Sequence, residues 1–160
     1  MTERRSLSMS RSYLQGTHEM KPRGLWYSIG KEWINWCNSE MPGWISKYNH
    51  ILDIDTSRIL IISTGEDVKR LESKYQGREQ DFEKWGNRYI TIDWDRLSRD
   101  FDGIEIRNYY DIRFSRDEES RFSETPWHEN LWFGFWDVPS GCIWNLRSLK
   151  GSTPVLTKNL

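Results

Sequence analysis

Cysteine is scarce in this sequence, with only Cys37 and Cys142 present. A chain of 160 residues is long enough to bury a hydrophobic core without a disulfide staple, so reduced thiols in a cytoplasm are expected. The three histidines, His18, His50 and His128, are scattered, and no C-x-x-C or H-x-x-x-H spacing occurs. The sequence therefore predicts neither a zinc site nor another metal centre.

Long hydrophobic runs and an excess of one charge are also missing. No run approaches the roughly 18 apolar residues that a membrane helix needs, and the first eleven residues lack the apolar stretch of a secretion signal. Because 23 Lys plus Arg oppose 24 Asp plus Glu, the chain lacks the broad basic footprint of a general nucleic-acid binder. These absences predict one soluble, cytoplasmic domain that does not associate with a membrane.

Tryptophan, in contrast, is abundant. Ten residues are tryptophan, and aromatic residues make up 14% of the chain. One interpretation of each ring is core packing, because an aromatic side chain buries a large area. The other is that several rings line a pocket for a planar ligand such as a base or nicotinamide. The tryptophans are Trp26, Trp33, Trp36, Trp44, Trp85, Trp94, Trp127, Trp132, Trp136 and Trp144.

Hydrophobic patterning predicts strands and helices in alternation, followed by a strand-rich final third. Strands are expected over 24–29, 58–63, 89–92, 104–106, 109–114, 131–136 and 142–146. Helices are expected over 31–37, after a capping box at Ser63 and Glu66, and after Asp93. An exposed loop is expected over 115–129. Residues 1–10 are expected to be poorly ordered, 11–150 to form one globular domain, and 151–160 to form a tail without a pattern. The predicted fold class is α+β.

Three segments resemble ADP-ribosyltransferases. Residues 24–28 (GLWYS), followed by a helix ending at Trp36-Cys37, resemble the strand and helix whose aromatic residues cradle nicotinamide in that family. Residues 94–106 (WDRLSRDFDGIEI) are similar to a short helix and strand of its toxin-like members, and residues 142–150 (CIWNLRSLK) are similar to its closing strand. Other cofactor motifs are missing, since the chain has no P-loop, G-x-G-x-x-G, G-x-S-x-G or H-E-x-x-H.

The resemblance implies an ADP-ribosyltransferase-like split β-sheet that binds NAD as a substrate and transfers ADP-ribose to a macromolecule, either protein or RNA. It implies a compact enzyme like bacterial toxins and phage-encoded modifiers, with a host target or an antitoxin as partner. The residues implied to bind NAD are His18 as its anchor, Trp26 and Tyr27 around the nicotinamide, Ser28 at the strand end, and Trp136 and Ser140 beside them.

The acid that the family places just before its closing strand is missing, because Ser140 and Gly141 stand there. Glu105 and Asp137 are the nearest substitutes, and either carboxylate could oppose positive charge that develops on the ribose. Each also has a plainer interpretation. Glu105 would be an exposed residue of an edge strand, and Asp137 would make a turn hydrogen bond. His18 would lie in an exposed loop.

Two other function classes stay open. The missing acid favours a catalytically inactive, aromatic-rich α+β module that binds a nucleotide-like ligand or a partner protein. Closely spaced aspartates favour a magnesium-dependent nuclease or another phosphate-handling enzyme, although the same spacing is common in helix caps and loops. These aspartates are Asp53, Asp55, Asp93, Asp95, Asp100 and Asp102.

Overall fold

A computed structural model describes residues 12–17, 19–77, 91–121 and 131–160, with the backbone alone described for 116–121 and 131. The predictions for residues 1–10, for His18, for the first half of the strand at 89–92 and for residues 122–129 lie outside these ranges. Within them, no helix has both the length and the apolar character that crossing a bilayer requires.

The described residues form an α+β fold, as the patterning predicts. The strands are β1 (Leu25–Ser28), β2 (Tyr48–Ile54), β3 (Ile59–Ile62), β4 (Gly103–Ile106), β5 (Ser140–Ile143) and β6 (Leu149–Leu156). The helices are α1 (Glu32–Glu40), α2 (Gly65–Tyr75), α3 (Trp94–Asp100), α4 (Tyr109–Arg121) and α5 (Leu131–Gly134).

Four strands build the main sheet in the order β1-β5-β4-β3. The β3/β4 pair is parallel and the other two pairs are antiparallel. The β-branched run of β3 forms a strand as predicted, and that strand lies at one end of this order. Strand β4 is an interior strand, which matters for the side chains that it carries.

Helix α2 begins one residue later than its predicted capping box. Thr64 accepts a hydrogen bond from the backbone of Asp67, and the Asp67 carboxylate accepts one from the backbone of Thr64. The predicted pair, Ser63 and Glu66, lies one residue before the observed pair, Thr64 and Asp67. The reciprocal cap is therefore present, with Asp67 in the place of the usual glutamate.

The two faces of the main sheet carry different residues. Ile62, Ile104 and Ile106 belong to the large core, which includes buried residues of all four helices from α2 to α5. The other face carries a smaller cluster around Ile59 and Ile143, against which partly buried residues of β1 and β3 pack. Because side chains alternate along a strand, neighbouring residues belong to different faces.

Two predicted strands are helices. Residues 109–114 lie in α4, and residues 131–134 of the predicted strand 131–136 form α5. The aromatic runs in both segments satisfy a strand pattern, but in α4 the buried Tyr109 and Ile112 recur at a spacing of three. Short apolar runs do not distinguish a strand from a buried helix by periodicity alone. In α5, the packing of Trp132 and Phe133 against the core selects a helix over the predicted strand.

A second sheet joins two strands that the patterning did not reveal. Strands β2 and β6 pair antiparallel, from Tyr48 opposite Leu156 to Asp53 opposite Gly151. Residues 151–156, expected to be a patternless tail, are therefore part of a strand. Two residues of β6 are ones that a sequence pattern counts against a strand. Pro154 has no backbone N–H to donate, and Gly151 has no side chain to pack.

Candidate functional site

A buried carboxylate lies on the interior strand β4. Glu105 is 8% exposed. The phenol of Tyr27 donates a hydrogen bond to Glu105 Oε2 at 2.8 Å, and Nε of Arg107 donates to Oε1 at 2.6 Å. Each carboxylate oxygen therefore has its own donor. The interpretation of Glu105 as an exposed residue on an edge strand was wrong, because β3 and β5 flank β4 on either side.

Gly141 leaves the space that the contact between Tyr27 and Glu105 requires. It occupies β5 between the two, in a register row that runs from Tyr27 through Gly141 to Glu105. A Cβ at this position would lie closer than 3.0 Å to the hydroxyl and to Cζ of Tyr27. The missing side chain lets the ring cross β5 and reach β4. A glycine inside a strand signals such a close approach.

Electrostatics keep the phenol of Tyr27 in its donating form. Burial raises the pKa of Tyr27 far above its ordinary value, and the neighbouring Glu105 carboxylate raises it further. The Arg107 guanidinium offsets part of that rise. The Tyr27 phenol therefore keeps its proton and holds the carboxylate as a donor.

Arg107 was missed by the sequence interpretation. A residue two positions from Glu105 in an extended chain shares its face of the sheet, and that periodicity was the available signal. The Arg107 side chain is 48% exposed, whereas the Glu105 side chain is 10% exposed. The pair therefore joins a buried carboxylate to a solvent-accessible cation.

Trp26 and Tyr27 lie on opposite faces of the sheet. The Trp26 ring packs against Trp136 with ring centroids 4.8 Å apart, whereas Tyr27 contacts Glu105. Lys21 Nζ lies 5.2 Å from the centre of the Trp26 ring. The expectation that Trp26 and Tyr27 hold one nicotinamide is therefore not met, since adjacent strand residues cannot line the same wall.

Ser28 and Ser140 face each other in the β1/β5 register. The Ser140 hydroxyl donates to the carbonyl of Val138 at 2.8 Å, and the indole of Trp136 donates to the carbonyl of Ser140 at 3.3 Å. Trp136 is 1% exposed and belongs to the large core. These contacts tie the turn before β5 to the core, which is the core-packing interpretation of Trp136.

The two candidate acids, Glu105 and Asp137, lie in different environments. Asp137 is 47% exposed, and its carboxylate lies 3.9 Å from Lys21 Nζ, beside Trp26. Glu105 is buried with Tyr27 on the opposite face. The structure therefore brings one acid, Glu105, together with one predicted ring, Tyr27, and leaves Asp137 in a different environment.

Within the described ranges, no three His, Cys, Asp or Glu side chains converge as a metal site would require. Several of the closely spaced aspartates have structural contacts instead. Asp55 accepts from the backbone of Ser57, Asp93 accepts from the backbone of Arg96, and Asp102 accepts from Arg147 and Ser148.

No family model matches the chain, and neither a curated protein nor a solved structure matches it.

Proposed function

We propose that this protein uses NAD as a substrate, breaks the bond between nicotinamide and ribose, and transfers ADP-ribose to a protein or an RNA. The observation that supports this proposal is the buried Glu105 carboxylate, fixed by Tyr27 and Arg107 on an interior strand. Of the two acids that the sequence offers, Glu105 is the one held in a defined position.

The chemistry requires a fixed negative group near the ribose. When the glycosidic bond breaks, its electron pair leaves with nicotinamide and positive charge develops on the ribose carbon. A carboxylate that is already oriented and shielded from water stabilises this charge without reorganising. The acceptor's nucleophile then bonds to that carbon and gives up its proton to solvent. Glu105 meets the requirement because two donors hold it.

Tyr27 supplies the aromatic surface on this face. It is partly exposed and bonded to Glu105, so a nicotinamide ring that contacts Tyr27 would place its ribose near the carboxylate. In this proposal Trp26 has no direct role, because its ring lies on the other face against Trp136.

A catalytically inactive ligand-binding module is the second candidate. Trp26 favours this candidate, because the residue is 37% exposed and its ring lies beside the Lys21 ammonium. A planar anionic ligand could stack there and pair with the ammonium without approaching Glu105. Such a ligand would bind without reaction.

Replacing Glu105 separates the two candidates. Glu105→Gln keeps the side-chain shape and removes the charge, so we expect nicotinamide release from NAD to fall by about 100-fold or more. Asp137→Asn is the matched control, because Asp137 is an exposed acid that pairs with Lys21 and not with Tyr27 or Arg107. The rate of nicotinamide release by this variant should stay close to that of the wild type. Nicotinamide would be quantified chromatographically, with cell extract as the source of acceptor and circular dichroism to confirm folding.

Two results would contradict the transferase proposal. If the wild-type protein binds NAD and releases no nicotinamide with extract present, the ligand-binding module is favoured. If release is the same in wild type and Glu105→Gln, this carboxylate does not stabilise the reacting ribose.

A further inference from the structure

Arg107 presents an unused edge of its guanidinium beside Glu105. Its backbone amide donates to the carbonyl of Ile62 at 2.9 Å, which fixes the main chain at the end of β4. Its Nε donates to Glu105. Among the described residues, the two terminal nitrogens of Arg107 have no partner, and the side chain is about half exposed.

Other arginines that contact a buried acid use this edge differently. Arg147 donates to Asp102 through both Nε and a terminal nitrogen, each at 2.6 Å. Arg58 uses Nε for Asp102 and a terminal nitrogen for the carbonyl of Asp100. Arg107 is bound through Nε alone. Its terminal nitrogens therefore remain available to solvent and to a ligand.

The available donors suit a phosphate. A guanidinium is planar, stays charged, and presents donors in a fixed fork that matches phosphate oxygens. Hydrogen bonds between charged partners are stronger than neutral ones. A phosphate bound at the outer edge of Arg107 would be separated from the Glu105 carboxylate by one guanidinium, whose positive charge offsets the repulsion between them.

We propose that Arg107 binds the phosphate carried by the same ribose whose glycosidic bond faces Glu105. This inference rests on the proposed function and narrows its substrate class. The recognised group is a ribose that carries a 5′-phosphate. The site therefore recognises the nicotinamide half of NAD. Arg107 binds the phosphate, and Glu105 stabilises the positive charge that develops on the ribose.

The test compares two small probes that differ in that phosphate. Nicotinamide mononucleotide carries it and nicotinamide riboside lacks it. By isothermal titration calorimetry, we expect the wild-type protein to bind the mononucleotide about tenfold or more tightly than the riboside, since hydrogen bonds between charged partners are stronger than neutral ones. Arg107→Gln should abolish this preference, and Arg107→Lys, which keeps the charge without the fork, should retain part of it.

Arg99→Gln is the matched control, because Arg99 is an exposed arginine of α3 that pairs with Asp95. It should keep the wild-type preference. Equal binding of the two probes by the wild type would overturn the inference, and so would an undiminished preference in Arg107→Gln. This test and the test of the proposed function can give different results. If the protein prefers the mononucleotide through Arg107 but releases no nicotinamide from NAD, the phosphate site is supported and the transferase proposal is rejected.

Discussion

At the scale of single residues, the smallest side chain of the site determines its geometry. Tyr27 and Glu105 lie on strands that are not neighbours, and β5 separates them. Only the lack of a side chain at Gly141 brings the phenol within hydrogen-bond distance of the carboxylate. The site therefore depends on a residue that carries no functional group.

Adding one methyl group at Gly141 tests this dependence. Gly141→Ala would place a Cβ against the Tyr27 ring, so we expect the ring to move, its bond to Glu105 to be lost, and the free energy of unfolding to fall by about 1–3 kcal/mol. Urea denaturation measures the change. Gly43→Ala is the control, because a Cβ there would meet nothing within 4 Å. If both variants are equally stable, Tyr27 has room that the structure does not show.

At the scale of elements, Asp102 connects three parts of the chain in front of β4. Its carboxylate is 2% exposed and accepts hydrogen bonds from Arg58, Arg147 and Ser148. Burial by itself would raise the pKa of Asp102, but these donors outweigh burial and hold that pKa below its ordinary value. The network anchors the start of β4, the strand that carries Glu105.

The lowered pKa of Asp102 has a consequence for stability. A carboxyl whose pKa is lower in the folded state stabilises the fold above its unfolded value, about 3.9, and loses that contribution as pH falls through the folded value. We therefore expect Asp102→Asn to reduce the free energy of unfolding by about 1–3 kcal/mol at pH 7. The difference from wild type should shrink below about pH 4.

Urea denaturation at a series of pH values measures this difference. Asp137→Asn is the control, since its exposed ion pair should contribute little at any pH. A gap between wild type and Asp102→Asn that stays constant down to pH 2 would show that the charge of Asp102 is not what stabilises the network.

At the scale of the whole molecule, the β2/β6 sheet joins segments about 100 residues apart in sequence. Ile54 of β2 packs against the smaller cluster on the face of the main sheet that carries Tyr27. The final residues of the chain therefore complete a sheet that contacts the face of the candidate site.

Removing residues 151–160 would leave β2 without its partner. At about 0.2–1 kcal/mol for each cross-strand pair, the loss of the pairs from Tyr48 to Asp53 should lower the free energy of unfolding by about 2–4 kcal/mol. Removing only residues 158–160, which follow β6, is the control and should change little. Chemical denaturation of both truncated chains is the measurement, and equal stability would mean that the second sheet contributes nothing to the fold.

The sequence by itself determined the elements whose patterns are local. β1, α1, β3, α2, α3 and β4 were all predicted, because β-branched runs, caps and apolar spacing act within a few residues. The tertiary structure decided whether the aromatic runs near Tyr109 and Trp132 became strands or helices, since burial against the core, and not propensity, selects between them.

The same division applies to the candidate site. The resemblance to ADP-ribosyltransferases singled out Tyr27 and Glu105, and hydrophobic patterning placed each of them on its predicted strand. Their pairing across Gly141, the assignment of Trp26 to the other face, and the participation of Arg107 came only from the tertiary structure. The physical reason is that strand order and register bring together residues 78 positions apart, and no short-range pattern in a chain encodes which strand lies beside which.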